Sequence, residues 1–292
     1  MRLKLILMRI FLLIVIFAAL PYANTSYNGF LLPNSTVHLI SNDNDYLLSK
    51  RIVLESKYSH KISSHYITLP NSINIGVFDY FYQITSYEAS SSLSIINYGN
   101  FDDSESGYTF SSKDYIAHHR LAKSINNNWH TSFDLKYIYS EIDTYNASAI
   151  ATKLSLYYHN QRFLAQVFLD NYGLIIDNYT NFDENLPLLY GYKIMILPKY
   201  INAIISAKHD YFDNNNIIHL TAELFLFEHS SILFGFSSLS KDLYYGDFNN
   251  DFFTGVSLGL SARYDNYLMN LGFKNLGVLG LSSSFTISRL IN

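Results

Sequence analysis

The 292-residue chain contains no cysteine, which excludes a disulfide framework, a thiolate metal site and a lipidated N-terminal cysteine. It is also poor in charge, because Asp, Glu, Lys and Arg make up 15% of the residues, against about 25% in an ordinary soluble domain. No strongly basic segment is present, so we expect no nucleic-acid partner. Aromatic residues are abundant instead, with 26 Tyr and 21 Phe. This composition suits a wall that faces lipid.

The N-terminus resembles an export signal. Three basic residues precede an unbroken apolar run from Ile10 to Leu20, which has about the length of a signal-peptide core and is too short for a spanning helix. We expect residues 1–23 to be a signal peptide and residues 24–292 to form a single domain, with an uncleaved membrane anchor as the alternative. Cleavage after Ala23 removes three positive charges, which takes the net charge from −4 to −7. No later apolar stretch reaches spanning-helix length.

The clearest strand is Trp129 to Tyr139. Phe133 and Leu135 fall on one face of it, and Asp134 and Lys136 fall on the other, because side chains alternate along a strand. An apolar face with aromatic ends opposite a polar face is typical of a transmembrane β-barrel. The segments 147–158 and 252–264 repeat the pattern.

Further strands are predicted along most of the chain after residue 69, and two or three weaker ones between Thr36 and Leu69. Asp265-Asn266 separates two of the strands and predicts a tight hairpin. Since a single-chain barrel favours an even number of strands, we predict an all-β, antiparallel transmembrane β-barrel of about 14 strands. The other strand candidates are 73–82, 87–98, 114–125, 163–169, 188–197, 201–211, 217–227, 232–239, 267–273 and 281–290.

The inner face and the loops are predicted as well. Small residues on the inner face of 252–264 indicate a narrow or filled lumen, and we expect Phe253 and Arg263 to point inward on this strand. Residues 24–50 are long enough to fold inward as a plug. The loops at 102–112 and 177–185 are acidic and carry aromatic residues, which favours contact with a protein.

A secreted, soluble β-sandwich is the alternative fold, since its strands would also alternate. Two features favour the barrel. Several strands are as long as the 9–11 residues that a tilted strand needs to cross a bilayer, and lone Arg or Lys residues stand opposite the rings.

No residue is assigned to a catalytic, cofactor or metal site. His118 and His119 are adjacent, so on a strand they point to opposite faces and cannot share a metal ion from there. The string Asp247–Asp251 begins like a calcium loop but has Phe252 where the loop needs glycine and Leu258 where it needs glutamate. No nucleophile elbow or zinc-ligand spacing occurs, so we expect that the chain is not an enzyme and needs no cofactor.

Several strings resemble the PorV/PorQ family of outer-membrane barrels, in the family's order and spacing. The resemblance spans most of residues 31–292 and is somewhat closer to PorQ. One departure is that Asn42 to Arg51 lacks the family's Asn-Pro-Ala type of motif. The strings are Ile96–Phe101, Ser111–Tyr115, Asn128-Trp129, Leu135–Ser140, Leu169–Gly173, Glu184–Pro187, Tyr264–Gly277, Leu279–Leu281 and Phe285–Ser288.

The resemblance implies a FadL-like barrel in the cell outer membrane, surrounded by outer-membrane lipid. It further implies an accessory role in type IX secretion or in surface attachment of exported cargo, in which the chain binds other proteins of the secretion or attachment complex. The alternative is a FadL-like channel or transporter for small hydrophobic molecules. An enzyme of the outer membrane is the third class.

Overall fold

Fourteen strands form one closed antiparallel barrel, in which each strand pairs with its neighbours in sequence and β14 pairs with β1. The computed structural model describes residues 27–54, 59–84, 87–102, 108–179, 184–212, 215–239 and 253–291, so the predicted signal peptide and the Asp247–Asp251 string lie outside the described residues. The strand number and the fold class are as predicted. The strands are β1 (His60–Thr68), β2 (Asn74–Ile84), β3 (Tyr87–Asp102), β4 (Thr109–Ser124), β5 (Trp129–Ile142), β6 (Tyr145–Asn160), β7 (Phe163–Asp177), β8 (Leu189–Ile196), β9 (Ala203–Phe212), β10 (Asn215–Phe227), β11 (Ser230–Ser237), β12 (Val256–Tyr264), β13 (Tyr267–Asn275) and β14 (Leu281–Ile291).

Of the two or three strands predicted between Thr36 and Leu69, the described residues contain one, β1, and the segment before it is helical, which corrects the rest of the prediction. This segment contains a 3₁₀ turn (Asn28–Leu31), α1 (Thr36–Ser41) and α2 (Tyr46–Leu54). The Ser35 hydroxyl caps α1 by accepting from the His38 amide at 3.1 Å, and a closed barrel offers these residues no free strand edge. No helix within the described residues has the length and apolarity needed to span a membrane.

The two faces of the wall are as predicted. Phe133 and Leu135 on β5 point outward with 43% and 45% of their surface exposed, whereas Asp134 is fully buried on the lumen side. His118 and His119 also point to opposite faces, because His118 contacts the lumen residue Asp134 and His119 contacts Ser91 on the outside. The alternation of apolar and polar residues therefore gave the facing of the strands correctly.

The predicted strand 252–264 is wrong at its start. Gly255 has a left-handed φ of 85°, and this kink ends the extended chain, so that β12 begins only at Val256. Phe253 therefore lies before the strand and is 59% exposed rather than pointing into the lumen. Arg263 does line the lumen, at the far end of β12.

The two ends of the barrel differ in their connections. One end, which we call the turn end, holds the start of β1 and the end of β14, and its longest connection between strands is residues 197–202. The other end, the loop end, carries the longer connections 178–188 and 238–255. Of the predicted loop 102–112, residues 103–107 lie outside the described residues, and both of its ends belong to strands: Asp102 and Thr109 pair across β3 and β4, and their side chains hydrogen-bond at 2.7 Å.

The outward face of β5 makes a test of the fold. We expect Phe133→Arg to reduce assembly of the barrel in membranes, because an arginine on the lipid face near the bilayer midplane costs about 2–4 kcal/mol. The heat-modifiable gel mobility of extracted membranes measures the folded fraction. Phe133→Leu serves as the control and should assemble normally; equal assembly of the two variants would contradict the facing of β5.

Candidate functional site: a plugged lumen

Residues 27–54, which we call the plug, run through the lumen from one end of the barrel to the other. At the loop end the Tyr27 hydroxyl donates to the Asp177 carbonyl at 2.7 Å. Midway, the Ile40 carbonyl accepts from the Ser257 hydroxyl at 2.8 Å. At the turn end Arg51 pairs with Glu88. The prediction that residues 24–50 fold inward as a plug is therefore confirmed for residues 27–50, while residues 24–26 lie outside the described residues.

Glycines let the plug approach the wall closely. A Cβ atom on Gly235 would stand 2.0 Å from the Ile40 carbonyl oxygen, and one on Gly259 would stand 2.1 Å from the Ile40 side chain. A larger residue at Gly235 would push the backbone of α1 away from β11, whereas one at Gly259 would displace the Ile40 side chain. The small inner-face residues that predicted a filled lumen thus make room for α1.

The turn between the two plug helices carries two carboxylates that pair with the wall. Asp43 lies 2.7 Å from the Lys193 ammonium. Asp45 lies 2.7 Å from Lys153 and 2.6 Å from the Arg120 guanidinium. These bonds reach β4, β6 and β8, so the turn is fixed to several strands at once.

The two asparagines of the same turn extend this attachment. Lys208 donates to the Asn42 carbonyl at 3.1 Å, and Lys274 donates to the Asn42 side chain. Lys153 also donates to the Asn44 side chain at 2.6 Å. We call these five wall residues the cation socket: Arg120, Lys153, Lys193, Lys208 and Lys274.

Charge pairing explains how such polar groups remain buried. Burial alone would raise the pKa of Asp45, but Lys153 and then Arg120 hold it well below its usual range. Burial also opposes ionisation of Asp43, and Lys193 followed by Lys208 lowers its pKa overall. Removing one partner of a buried pair typically costs about 3–5 kcal/mol. The plug and the socket therefore stabilise each other.

The wall around the socket is charged over about half of the barrel. Asp134 on β5 accepts from Arg120 and His118. Lys136 donates to Asp170 on β7 at 2.5 Å. Lys208 pairs with Asp210 on β9 at 2.7 Å. Each strand from β4 to β9 thus contributes at least one lumen side chain to an ion pair, with another strand, within the strand or with the plug.

The opposite part of the wall is more apolar. Ile67, Ile75, Val77 and Ile96 on β1, β2 and β3 pack with Leu39 of α1 in one buried cluster. Charged lumen residues do occur on these strands, but Lys61, Asp79 and Glu88 lie toward the turn end. The lumen wall is therefore two-sided, with its ion pairs concentrated on the side that holds the plug.

Three cavities follow one another beside the plug; the largest lies against β10 to β14 and β1, and the two smaller ones lie against β1 to β5. The largest is about 420 Å³ and is lined near the turn end by Lys61, Arg263 and Leu290. The next, about 100 Å³, shares Arg51, Lys61 and His65 with it. The third, about 40 Å³, shares Ser92 and His118 with the second and reaches Phe30. The space narrows steadily from the turn end toward the loop end.

Apolar packing and tyrosines close the loop end. Tyr27 and Phe30 pack with Ile138 and the alanines of β6, and Leu186 from the connection 178–188 covers them. The Tyr179 hydroxyl of the same connection donates to Ser140 at 2.5 Å. The predicted loop 177–185 is thus partly folded over the lumen.

Metal and catalytic chemistry were not assigned from the sequence. Within the described residues no group of three or more His, Asp or Glu side chains could hold a metal ion. The cation socket was not predicted either. Its only signals were the polar string Asn42–Asp45 in the plug and lone basic residues in the middle of inner faces.

Comparisons with known proteins identify the class of fold. No family model matches the sequence, and no curated protein sequence is similar to it. Solved structures are similar: the P. putida toluene transporter TodX (TM-score 0.57, 7% identity, 88% of this chain and 94% of that chain) and the Ralstonia pickettii toluene transporter TbuX (TM-score 0.61, 7% identity, 91% and 100%). The monoaromatic hydrocarbon channel CymD is also similar, with a TM-score of 0.54 and 8% identity over 88% of this chain and 96% of that chain. At these identities the likeness shows the fold alone, which is a FadL-like transmembrane barrel.

Neutralising a plug carboxylate should loosen the plug. We expect Asp45→Asn to leave Lys153 and Arg120 incompletely paired, at a cost of about 3 kcal/mol or more, and so to raise ion conductance in planar bilayers above the negligible level expected of the wild type. Asp265→Asn makes the same chemical change in the exposed β12–β13 turn and should leave conductance unchanged. A closed Asp45→Asn barrel would contradict the role of the socket.

Acidic pH should also loosen the plug. The Asp45 pKa in the docked plug is below that of a free aspartate, so its contribution to docking is present above about pH 4 and is lost as the pH falls further. Burial lowers the pKa of His38 to about 3, and its Nδ1 accepts from the Asn34 amide. Protonation of a released His38 below about pH 6.5 therefore also favours undocking.

Cleavage of the plug by a protease at graded pH measures this dependence. We expect cleavage to increase as the pH falls from about 6.5, and more steeply below about 4. His38→Gln should remove the upper part of the dependence and keep the lower part. A cleavage rate that is independent of pH down to 3 would contradict the assignment.

Proposed function

We propose that the chain is an outer-membrane channel that lets small, largely apolar molecules pass beside the plug. The observation that carries the proposal is the row of three neighbouring cavities beside the plug, which share lining residues and lead from the turn end to the apolar cluster of β1, β2 and β3. Because the turn of the plug is held mainly by β4 to β9, a molecule can follow the opposite side without breaking most of those ion pairs. The similar structures are described as toluene transporters and a monoaromatic hydrocarbon channel, which supports this substrate class.

The orientation follows the general rule for such barrels, which have short turns on the periplasmic side and longer loops outside. The turn end then faces the periplasm and the loop end faces the exterior. The 420 Å³ cavity is the periplasmic vestibule of the route, and the closure around Tyr27 and Phe30 is its external gate. Passage requires that gate to move.

Ser92 is the position at which the route can be blocked. It lines both the 100 Å³ and the 40 Å³ cavities and is 8% exposed. We expect Ser92→Phe to fill this space and to lower uptake of radiolabelled toluene by outer-membrane vesicles at least tenfold. Ser91→Phe is the matched control, because the neighbouring side chain points outward and contacts His119; its uptake should equal that of the wild type.

Two results would count against the channel. One is uptake by wild-type vesicles no faster than by vesicles that lack the protein. The other is equal uptake by both phenylalanine variants when their barrels are equally assembled. A polar solute of similar size should pass more slowly, since Phe30, Ile75 and Ile96 stand among the residues that line the narrowest cavity.

The accessory role in secretion or attachment that the PorV/PorQ resemblance implies stays a prediction. Its test is capture of partner proteins by the wild type and by a variant shortened in the connection 178–188. Two results together would favour that role over the channel. The shortened variant would lose a specific partner, and toluene uptake by wild-type and Ser92→Phe vesicles would equal that of vesicles without the protein.

A further inference from the structure

The two rims of the barrel differ in charge outside the lumen. Among the described residues, the turn end carries the basic side chains Lys123, Arg162, Lys199 and Arg289 against the acidic Glu228 and Asp265. The loop end carries the acidic side chains Asp102, Glu141 and Asp143 against the basic Lys113. The turn end is therefore the basic rim.

Two of the basic residues stand on the outer wall, each beside a tyrosine of the adjacent strand. Lys123 pairs in register with Tyr87, and its ammonium lies 2.9 Å from the tyrosine hydroxyl and 4.8 Å from the ring centre. Arg289 pairs in register with Tyr267, and its guanidinium lies 5.9 Å from the ring centre. Both rings are substantially exposed, Tyr87 by 45% and Tyr267 by 39%.

Further aromatic groups occupy the wall between these two pairs. His60 on β1 stacks on Tyr80 of β2, with its Nδ1 2.8 Å from the tyrosine hydroxyl, and Tyr80 stacks on Tyr82. The five strands β14, β1, β2, β3 and β4 span about 19 Å at the usual spacing of about 4.8 Å. We call this surface the basic aromatic face; it comprises Arg289, Tyr267, His60, Tyr80, Tyr82, Tyr87 and Lys123.

The charge and the position of this face indicate what kind of molecule it can bind. Within the described residues, the outward side chains in the turn-end halves of these five strands include no carboxylate; Asp102 is outward too, but it stands at the loop end of β3. Apolar side chains continue the same outer wall above it, with Leu121 on β4 and Ile287 on β14 exposed. Tyrosine and basic residues at this level are typical of the boundary between hydrocarbon and headgroups, where a long cationic side chain reaches toward phosphate.

We propose that the basic aromatic face binds the headgroups of anionic phospholipids in the membrane leaflet at the turn end. Lys123 and Arg289 pair with the lipid phosphates, and the tyrosines between them contact the glycerol region. The proposal does not depend on the transport function, since the face lies on the outside of the wall.

Native mass spectrometry of the detergent-purified mature chain tests the proposal. The protein is titrated with phosphatidylglycerol and, separately, with phosphatidylcholine of the same acyl chains. We expect wild type to prefer phosphatidylglycerol. Each removed cation should weaken its binding about fivefold, so that Lys123→Gln with Arg289→Gln binds the two lipids nearly equally.

Two control variants separate this face from charge in general. Lys123→Arg with Arg289→Lys keeps both charges and should keep the preference. Lys113→Gln removes a cation at the loop end and should also keep it. Heat-modifiable mobility confirms that every variant is assembled, and the comparison of the two lipids on wild type is informative even if a variant fails to assemble.

Several results would overturn the proposal. Equal binding of both lipids by wild type is one, and an unchanged preference in the double glutamine variant is another. Full competition by soluble glycerol phosphate at equal concentration would mean that the site takes free phosphate rather than lipid. A dimer that dissociates in the double glutamine variant would mean that the face binds a second copy of the chain.

Discussion

The burial of Asp43 and Asp45 among the basic residues of the wall is the interaction on which the rest of the structure depends. Two carboxylates in the middle of the lumen need cations close by, and the socket lysines are equally costly to bury without anions. With the plug in place, Lys193 is only 1% exposed, so little water reaches its ammonium group. The plug and the wall therefore form one electrostatic unit, and neither would keep its present shape without the other.

This arrangement gives the lumen two unlike sides. The ion pairs hold the turn of the plug against β4 to β9, and the two smaller cavities lie next to Ile75, Val77 and Ile96. Most charged groups of the lumen from β4 to β9 pair with each other or with the plug. In the channel that we propose, this pairing leaves few free charges to bind a passing molecule.

The sequence predicted the barrel because the facing of a strand depends on a local pattern of period two, which Trp129–Tyr139 shows clearly. It did not predict the plug helices, because α1 has only six residues and includes Thr36, Val37 and Ile40, whose branched side chains also suit a strand. The cation socket could not be predicted from the sequence for a different reason. Asp45 and Arg120 are 75 residues apart in sequence, and nothing local marks them as partners.

The attachment of Asn42 to Lys274 has a consequence for how the molecule assembles. These residues are 232 positions apart, and Lys274 lies on β13, so the first part of the mature chain gains one of its anchors only when almost the last strand is present. Contacts at such separation form late, since the chain must first pay the entropy of closing the loop between them. Docking of the plug can therefore be completed only late in assembly, when nearly the whole wall has been made.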